Sequence, residues 1–244
     1  MAKHDSPVPL YLQIKDYIRL NIQHGVFAVN ERIPSERQLA DQFSVNRLTV
    51  SKALNELAQE GVVYSQVGKG TYVAPAKIDQ ALQSLTSFTQ DMIGRGKRAA
   101  SRVLHAAIEP ANTEAAKALM ILPGAEVVVL HRVRMADDQP VALERSHVIS
   151  ALCPGILDNH DFSRESLYAV LKAEYHLHMT YAHQTIEARK AGEAERDALE
   201  AESGLPILFI TRVTYDLNDH PVEYVRSSYR GDRYKFYTIL RTAE

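Results

Sequence analysis

Residues 34–73 read PSERQLADQFSVNRLTVSKALNELAQEGVVYSQVGKGTYV, and the first part of this stretch predicts two helices joined by a short turn. Ser35, with Gln38 three residues later, forms a capping box that starts the first of these helices. Asn46 caps the second helix. Apolar residues recur in the second helix at the spacing of one buried face, which ends at Gly61: Val50, Ala53, Leu54 and Leu57.

The last part of the same stretch predicts a tight β-hairpin. Residues 62–66 and 71–73 are rich in strand-forming side chains. The sequence VGKG at 67–70 joins them, and its two glycines permit positive φ angles while Lys69 lies at the tip. Two helices followed by such a hairpin are typical of a winged helix-turn-helix, in which the second helix reads DNA and the hairpin is the wing.

Four pieces of this stretch together resemble the DNA-binding domain of the GntR family of bacterial transcriptional regulators: PSERQLA, NRLTVSKAL, EGVV and GKGTYV. The resemblance implies that Arg37 and Arg47 face DNA and that Thr49 holds a phosphate. It also implies that Gly68 lets the wing enter the minor groove. The further candidates for DNA contact are Asn46, Ser51, Lys52 and Lys69.

Arg47 lies in the first turn of the second helix, the part of a recognition helix that reaches base edges. Its guanidinium could therefore bind O6 and N7 of a guanine. The family usually has a second arginine where this chain has Ser51, so Lys52 or Asn55 would have to replace it in base readout. The alternative for Arg37 and Arg47 is that both are ordinary solvated charges on helix surfaces.

Composition indicates an ordinary globular chain of one large or two ordinary domains. Of its 244 residues, 45% are hydrophobic and 24% are charged, and the formal net charge is −2. Cys153 is the single cysteine, which excludes an intrachain disulfide and suits a reducing compartment. The sequence shows no signal-peptide pattern and no apolar run of the ~18 residues that a membrane span needs. We expect a cytoplasmic protein with no membrane contact, no metal and no cofactor.

The patterns predict a DNA-binding domain at 1–75, a linker at 76–84 and an effector-binding domain at 85–244. An amino-terminal helix with an apolar residue at every fourth position completes the first domain: Leu10, Ile14, Ile18 and Ile22. Residues 74–83 show no clear strand or core pattern, which is typical of a linker. The second domain begins with another capping box, in which Ser87 and Gln90 start a short helix.

The second domain contains an internal repeat with an offset of 80 residues. GAEVVVLHRV at 124–133 aligns with GLPILFITRV at 204–213. Each copy predicts a strand, a helix and a β-hairpin: 102–108, 113–120 and a turn at Asp137-Asp138, then 184–189, 193–202 and a turn at Asn218-Asp219. Between the copies, Ser163 is expected to cap a helix through Leu167, Val170 and Leu171. Two such units predict an α+β domain with a mostly antiparallel sheet of about six strands.

This second domain resembles the effector-binding UTRA domain of the HutC branch of GntR regulators, which has a chorismate-lyase-like fold. The resemblance rests on five pieces: LTSFTQDM, HRVR, ALERS, SLYAVL and VEYVRSSYRGDRYKF. From members that respond to sugar phosphates, it implies that arginine, serine and tyrosine side chains bind the phosphate. It also implies that glutamates bind hydroxyl or amine groups of the sugar.

Arg132 and Arg134 are two residues apart on a predicted strand, so both guanidinium groups leave the same face and could clamp a phosphate or carboxylate. Helix starts at Ser87 and Ser166 would add N–H donors and hydroxyls. The full predicted effector site is Thr86, Ser87, Phe88, Arg132, Arg134, Glu144, Ser166, Tyr168, Glu223 and Tyr229. The alternatives are a cross-strand ion pair between Arg132 and Glu144, and packing of Tyr168 in the core.

We therefore expect a homodimeric repressor that binds palindromic double-stranded operator DNA and is released by a small anionic effector. A phosphorylated sugar or amino sugar is the favoured effector, and a carboxylate such as urocanate is the alternative. An enzyme is the other function class, because the second domain resembles a lyase. Its histidines lack partners at metal spacing, and the sequence has no nucleophile elbow or glycine-rich phosphate loop, so we predict no catalytic residues.

Overall fold

The computed structural model describes residues 8–66, 68–75, 77–201, 203–240 and 242. The chain forms two compact units, Met1–Lys77 and Ile78–Glu244. The division between them lies within the stretch that the sequence predicts as a linker. Ala76, the first residue of that predicted linker, lies outside the described residues.

The first unit is a winged helix-turn-helix, as predicted. Its elements are α1 (Leu10–Gln23), α2 (Glu36–Phe43), α3 (Arg47–Gln59), β1 (Val63–Gln66) and β2 (Gly70–Val73). Ser35 Oγ accepts the N–H of Gln38 at 3.3 Å while the Gln38 side chain accepts the N–H of Ser35, so the predicted capping box starts α2. Asn46 likewise caps α3. Apolar residues of the three helices form one core: Ile14, Ile18, Leu39, Ala40, Phe43, Val50, Ala53, Leu54 and Leu57.

The wing is the antiparallel pair of β1 and β2. Gly68 has a φ of 73° and Gly70 a φ of 118°, angles that residues with a Cβ rarely adopt. A Cβ on Gly70 would lie 2.5 Å from Nε of Arg32, on the segment that bridges to Tyr72 of β2. Val67, part of the predicted turn, lies outside the described residues.

The second unit consists of an antiparallel sheet with short helices and a separate two-stranded pair. In chain order its elements are β3 (Ile78–Ala81), α4 (Phe88–Gly94), β4 (Ala99–Pro110), α5 (Thr113–Ala118), β5 (Glu126–Ala136), β6 (Gln139–Ile149), a 3₁₀ turn (Ser150–Leu152), α6 (Ile156–Asn159), α7 (Leu167–Glu174), β7 (Tyr181–Lys190), α8 (Glu193–Ala198), β8 (Pro206–Tyr215), β9 (Pro221–Arg230) and β10 (Tyr234–Tyr237). The sheet has six strands in the order β4-β5-β6-β9-β8-β7, and β3 pairs with β10 in parallel. The predicted α+β class and mostly antiparallel sheet are confirmed. No helix in the described part of the chain is both long and apolar enough to span a membrane.

The two halves of the sheet repeat one another at the predicted offset. Strands β4, β5 and β6 form one half of the sheet, and β7, β8 and β9 form the other. The two halves meet where β6 pairs with β9. Met120 and Glu200, 80 residues apart, both have a φ of 53°. These left-handed residues follow α5 and α8 and end both helices earlier than the predicted 113–120 and 193–202. Glu202, the last residue of the second predicted helix, lies outside the described residues.

The sheet carries α5 and α8 on one face and α6 and α7 on the other. Val127 and Val129 pack in the cluster with α5, whereas Val128 and Leu130 pack in the cluster with α6 and α7. Because successive side chains of a strand alternate between faces, the even-numbered residues that follow on β5 belong to the face with α6 and α7. That face carries Arg132 and Arg134.

The predicted helix cap at Ser163 is wrong. The helix α7 begins at Leu167, and Ser166 Oγ accepts the N–H of Ala169 at 3.4 Å. The N–H of Ser163 is instead bonded to the side chain of Asp161 at 2.9 Å, in a turn that precedes the helix. The N–H groups of Arg164 and Glu165 are bonded to the carbonyl oxygen of Asp161, so residues 161–165 form a separate turn and the helix starts only after Ser166, which caps it.

Residues 78–81 form β3, although the sequence shows no strand pattern between 74 and 83. The strand does alternate, because Ile78 and Gln80 are buried and Asp79 is exposed. A glutamine occupies the second buried position, so the alternation is not visible as an apolar period. The partner strand β10 lies at the other end of the unit, and no local feature of the sequence indicates the pairing.

Candidate effector pocket and DNA-binding face

A cavity lies in the second unit between the sheet and the starts of α4 and α7. Its space measures about 530 Å³, a volume that includes open solvent at its mouth. The ten residues predicted for the effector all line it: Thr86, Ser87, Phe88, Arg132, Arg134, Glu144, Ser166, Tyr168, Glu223 and Tyr229. The fold thus gathers into one place residues that are spread over most of the domain sequence.

The floor of the cavity consists of rows of residues paired across the sheet. Arg132 on β5 is paired with Glu144 on β6, and Glu144 with Ser227 on β9. The predicted cross-strand ion pair exists, since Nη2 of Arg132 lies 2.5 Å from Oε1 of Glu144. Nη1 of Arg134 lies 3.9 Å from the same oxygen. One carboxylate therefore faces two guanidinium groups.

These two arginines are buried but incompletely hydrogen-bonded. Arg132 is 2% exposed and Arg134 is 4% exposed. Among the described residues, Nε and Nη1 of both side chains have no hydrogen-bond partner. Because a buried donor without an acceptor costs ~1–3 kcal/mol, the pair favours a ligand rich in acceptors.

Arg134 is packed against an aromatic ring as well as against charge. Its guanidinium lies 4.5 Å from the centre of the Phe88 ring, and its Nη2 donates to Thr89 at 3.4 Å. Burial lowers the pKa of Arg134 to about 10, although the charge of Glu144 acts in the opposite direction. The side chain therefore stays charged at neutral pH, and its buried charge lowers the stability of the folded protein.

Glu144 stays ionised in the same surroundings. Burial acts to raise its pKa, but the charges of Arg134 and Arg132 and the hydrogen bond from Arg132 outweigh burial. The pKa of Glu144 therefore lies below its ordinary value. This carboxylate partly neutralises the arginines without supplying acceptors for all of their N–H groups.

A second polar group in the cavity is centred on Glu223. The hydroxyl of Tyr168 donates to Oε2 of Glu223 at 2.7 Å, and Thr214 donates to the same oxygen at 3.3 Å. Burial raises the pKa of Glu223, against the hydrogen bond from Tyr168, and Glu144 raises it further. Burial also raises the pKa of Tyr168. Tyr168 thus has a polar role besides packing.

The starts of two helices complete the wall. Ser87 Oγ accepts the N–H of Gln90 at 3.1 Å and caps α4, as Ser166 caps α7. Tyr229 closes the cavity from β9, and its ring centre lies 4.6 Å from that of Tyr234. Burial raises the pKa of Tyr229 to about 12, so its hydroxyl is a neutral donor.

Sequence reasoning missed three polar residues of the cavity: Gln80, Arg212 and Ser227. Arg212 on β8 is the counterpart of Arg132 at the 80-residue offset, so the repeat could have identified it. Its Nε donates to Gln184 at 2.7 Å. Ser227 lies between Glu223 and Tyr229 with the period of one strand face, which is a second usable signal. No local signal marks Gln80.

The predicted DNA-binding residues lie on exposed parts of the first unit. Arg37, Asn46 and Arg47 are exposed, and Leu48 beside them is 80% exposed. Oδ1 of Asn46 accepts both the N–H and the hydroxyl of Thr49, each at 2.8 Å. The start of α3 therefore presents the guanidinium of Arg47, the apolar side chain of Leu48 and the cap formed by Asn46 side by side.

The remaining candidates differ in how they are held. Nζ of Lys52 lies 3.9 Å over the ring of Tyr11, which attaches this lysine to α1. Ser51 is half-buried, whereas Gly68 and Lys69 are exposed at the tip of the wing. Of the two substitutes for the missing arginine, Lys52 is therefore the one that packs on an aromatic ring of the same unit.

Residues 10–73 match the family described as bacterial regulatory proteins, gntR family, and residues 94–235 match the UTRA domain. The chain belongs to the GntR family. Its two domains and its similarity to histidine utilization repressors support membership of the HutC subfamily within it.

Relatives within the GntR family match along most of their length. The chain is 36% identical over 231 residues to the HTH-type transcriptional repressor NagR of Bacillus subtilis (strain 168), covering 95% of this chain and 94% of that protein. It is 34% identical over 211 residues to the histidine utilization repressor of Pseudomonas aeruginosa, covering 86% and 83%. The crystal structure of PhnF from Mycobacterium smegmatis has a TM-score of 0.68 at 29% identity and covers 96% of this chain and 100% of that one. The chain is a ligand-responsive, DNA-binding transcriptional repressor of this family and not an enzyme.

Proposed function

We propose that this GntR repressor binds a palindromic operator as a homodimer and is released by a phosphorylated sugar or amino sugar in the cavity of the second unit. One observation carries the effector class. Arg132 and Arg134 are buried side by side in the cavity wall, and Nε and Nη1 of each lack acceptors among the described residues. A bound anion would supply those acceptors.

The balance of charge in the cavity supports an anion. Arg132, Arg134 and Arg212 face Glu144 and Glu223 there. The charged form of Glu223 is disfavoured, because burial raises its pKa. A phosphate can carry two negative charges and several acceptor oxygens, so it matches two neighbouring guanidinium groups better than a single carboxylate does.

Other polar groups of the same cavity suit a polyhydroxylated ligand. Glu223 and Tyr168 form a hydrogen-bonded pair, and Tyr229 is a neutral hydroxyl in the same wall. Carboxyl and phenol groups of this kind bind hydroxyl and amine groups of sugars. The resemblance to sugar-phosphate-responsive members of the HutC branch supports the same division, with arginines for the phosphate and glutamates for the sugar.

The proposal for DNA rests on the placement of a few contacts. The formal net charge of −2 provides no general attraction to nucleic acid. Arg47 at the start of α3 and Lys69 on the wing are exposed where a winged helix meets the duplex. A single helix-turn-helix reads only a few base pairs, so a dimer on a two-fold operator doubles the contacts.

Calorimetry on the full chain with glucosamine 6-phosphate, glucosamine and urocanate tests the effector class. We expect the phosphorylated sugar to bind at least roughly tenfold more tightly than glucosamine, because glucosamine leaves the buried arginine donors unpaired. Equal affinities, or tighter binding of glucosamine, would overturn the phosphate assignment. Preferred binding of urocanate would replace it with a carboxylate effector. Operator DNA should weaken effector binding by the same factor as the effector weakens operator binding.

Arg145→Ala is the matched control for variants that remove an arginine from the cavity. Arg145 lies on β6 next to Glu144 but on the opposite face, where its side chain is 45% exposed and contacts Glu109 at 3.5 Å. The substitution removes a positive charge from the same strand without touching the cavity. The ratio between the affinities for phosphorylated and unphosphorylated sugar should therefore stay as in the wild type.

A further inference from the structure

Gln80 is a buried polar residue of the cavity that the phosphate assignment does not use. It is 5% exposed and lines the same cavity as the arginine pair. In the part of the chain that the structure describes, its Oε1 atom has no hydrogen-bond partner. A buried amide oxygen without a donor is unfavourable, so a donor on a bound ligand would stabilise it.

Gln80 also lies on β3, the first element of the second unit. β3 begins at Ile78, directly after Lys77, the last residue of the first unit. It pairs with β10 and does not belong to the six-stranded sheet. Its main chain is also tied to α4, because Nε of Arg95 donates to the carbonyl oxygen of Asp79 at 2.8 Å. In the described part of the chain, β3 is therefore hydrogen-bonded to β10 and next to the end of α4, and it meets the six-stranded sheet through side-chain packing, in which Ile78 shares a cluster with Ala142 and Ile210.

We propose that Gln80 accepts a hydrogen bond from the effector, and that this bond couples occupancy of the cavity to β3 and to the chain that leads to the DNA-binding unit. The inference rests on the proposed function, since it needs an effector in this cavity. It also narrows the chemistry of the effector. Oε1 of an amide can only accept, so the effector carries an O–H or N–H donor in addition to its anionic group.

Ser227 provides a matched comparison within the same cavity. It is 4% exposed and lies on β9, between β6 and β8 in the six-stranded sheet. A ligand contact to Ser227 can add affinity, but it acts on the main sheet and not on β3. Comparing substitutions at Gln80 and Ser227 therefore distinguishes a ligand contact that couples the cavity to DNA binding from a contact that only adds affinity.

The experiment uses the full chain with Gln80→Leu, which removes the amide at similar volume, and with Ser227→Ala. Gln80→Met serves the same purpose if the leucine variant does not fold, as checked by thermal unfolding. Each protein is titrated by calorimetry with glucosamine 6-phosphate, glucosamine and urocanate. Affinity for an operator obtained by in vitro selection is measured by fluorescence anisotropy, with and without each compound at saturation. The ratio of the two operator dissociation constants is the coupling factor.

We expect Gln80→Leu to bind the operator within about twofold of the wild type in the absence of effector, because no DNA contact changes. It should bind glucosamine 6-phosphate roughly tenfold more weakly, as expected for one lost hydrogen bond to a buried group. At saturation it should keep at most about one tenth of the wild-type coupling factor. Ser227→Ala should keep the full coupling factor once saturated, whatever its affinity.

Full coupling in saturated Gln80→Leu, or an equal loss of coupling in Ser227→Ala, would overturn the assignment of Gln80. If glucosamine or urocanate releases the wild type and glucosamine 6-phosphate does not, the phosphate assignment fails. The coupling factors of Gln80→Leu and Ser227→Ala are then compared with the compound that releases the wild type, and the same outcomes decide the role of Gln80. A wild-type protein that none of these compounds releases from DNA would overturn both proposals.

Discussion

At the scale of single residues, Arg134 shows how a binding site can oppose the stability of the fold that carries it. Its pKa falls from the ordinary 12.5 to about 10 because the side chain is buried. The unfolded chain therefore holds this proton more tightly than the folded chain does. At every pH below about 10 the charge opposes folding, and a bound anion would offset that cost.

We predict that Arg134→Met abolishes release by effector without destabilising the empty protein. Methionine keeps an unbranched side chain against Phe88 but has no charge. Affinity for the sugar phosphate should fall by ~2–5 kcal/mol, since a buried charge pair is lost. The midpoint of thermal unfolding without ligand should change little, because removal of the buried charge offsets the loss of its attraction to Glu144. A lower midpoint together with unchanged effector affinity would show that Arg134 serves only as a structural partner of Glu144.

The second prediction at this scale concerns Arg47, which is exposed in the first turn of α3. If its guanidinium binds a guanine, Arg47→Ala should weaken operator binding by ~1–3 kcal/mol per half-site and relax the preference at one base pair. Anisotropy with operators mutated at each position measures both effects. The same loss on every sequence, with no change in preference, would make Arg47 a phosphate contact.

At the scale of elements, α7 links the cavity to a titratable residue. Ser166 and Tyr168 at its start line the cavity, while His160 contacts Glu165, which precedes the helix cap, and Glu174, the last residue of the helix. Nδ1 of His160 lies 3.2 Å from Glu165 and Nε2 lies 3.1 Å from Glu174. Burial acts to lower the pKa of His160, but the hydrogen bonds and charges of the two glutamates raise it above its ordinary value.

A histidine with a raised pKa stabilises the fold below its unfolded pKa of ~6.5, and this contribution is lost as the pH rises through the folded pKa. We therefore predict that His160→Gln lowers the midpoint of thermal unfolding more at pH 6 than at pH 8. His24→Gln, at an exposed position in the first unit, is the control. An equal effect of His160→Gln at both pH values would show that the contacts of His160 do not depend on its charge.

At the scale of the whole molecule, the proposed function requires two copies of the chain on one operator. We predict a dimer at micromolar concentration in sedimentation velocity, because each copy contributes only one recognition helix. The dimer should bind DNA with a strong dependence on salt, about one unit of log-log slope for each phosphate that is neutralised. A monomer at that concentration, with or without DNA, would contradict the prediction.

The sequence by itself determined the class of the fold and the main elements of both domains. The capping boxes of Ser35 and Ser87 and the spacing of the apolar residues in α3 each depend on a few neighbouring residues, so they can be read locally. The repeat at 80 residues predicted two equal halves of one sheet. The face shared by Arg132 and Arg134 follows from strand geometry alone, and so does the ion pair with Glu144 across a short hairpin.

Only the tertiary structure decided which distant strands became neighbours. The pairing of β6 with β9 puts Glu144 and Glu223 into one cavity, and the pairing of β3 with β10 puts Gln80 into its wall. Neither pairing leaves a local pattern, because the partners are far apart in the chain and Gln80 interrupts the apolar alternation of its strand. Burial then determined how these groups behave, since the pKa values of Arg134 and Glu223 depend first on their removal from solvent and then on the charges that the fold brings near them.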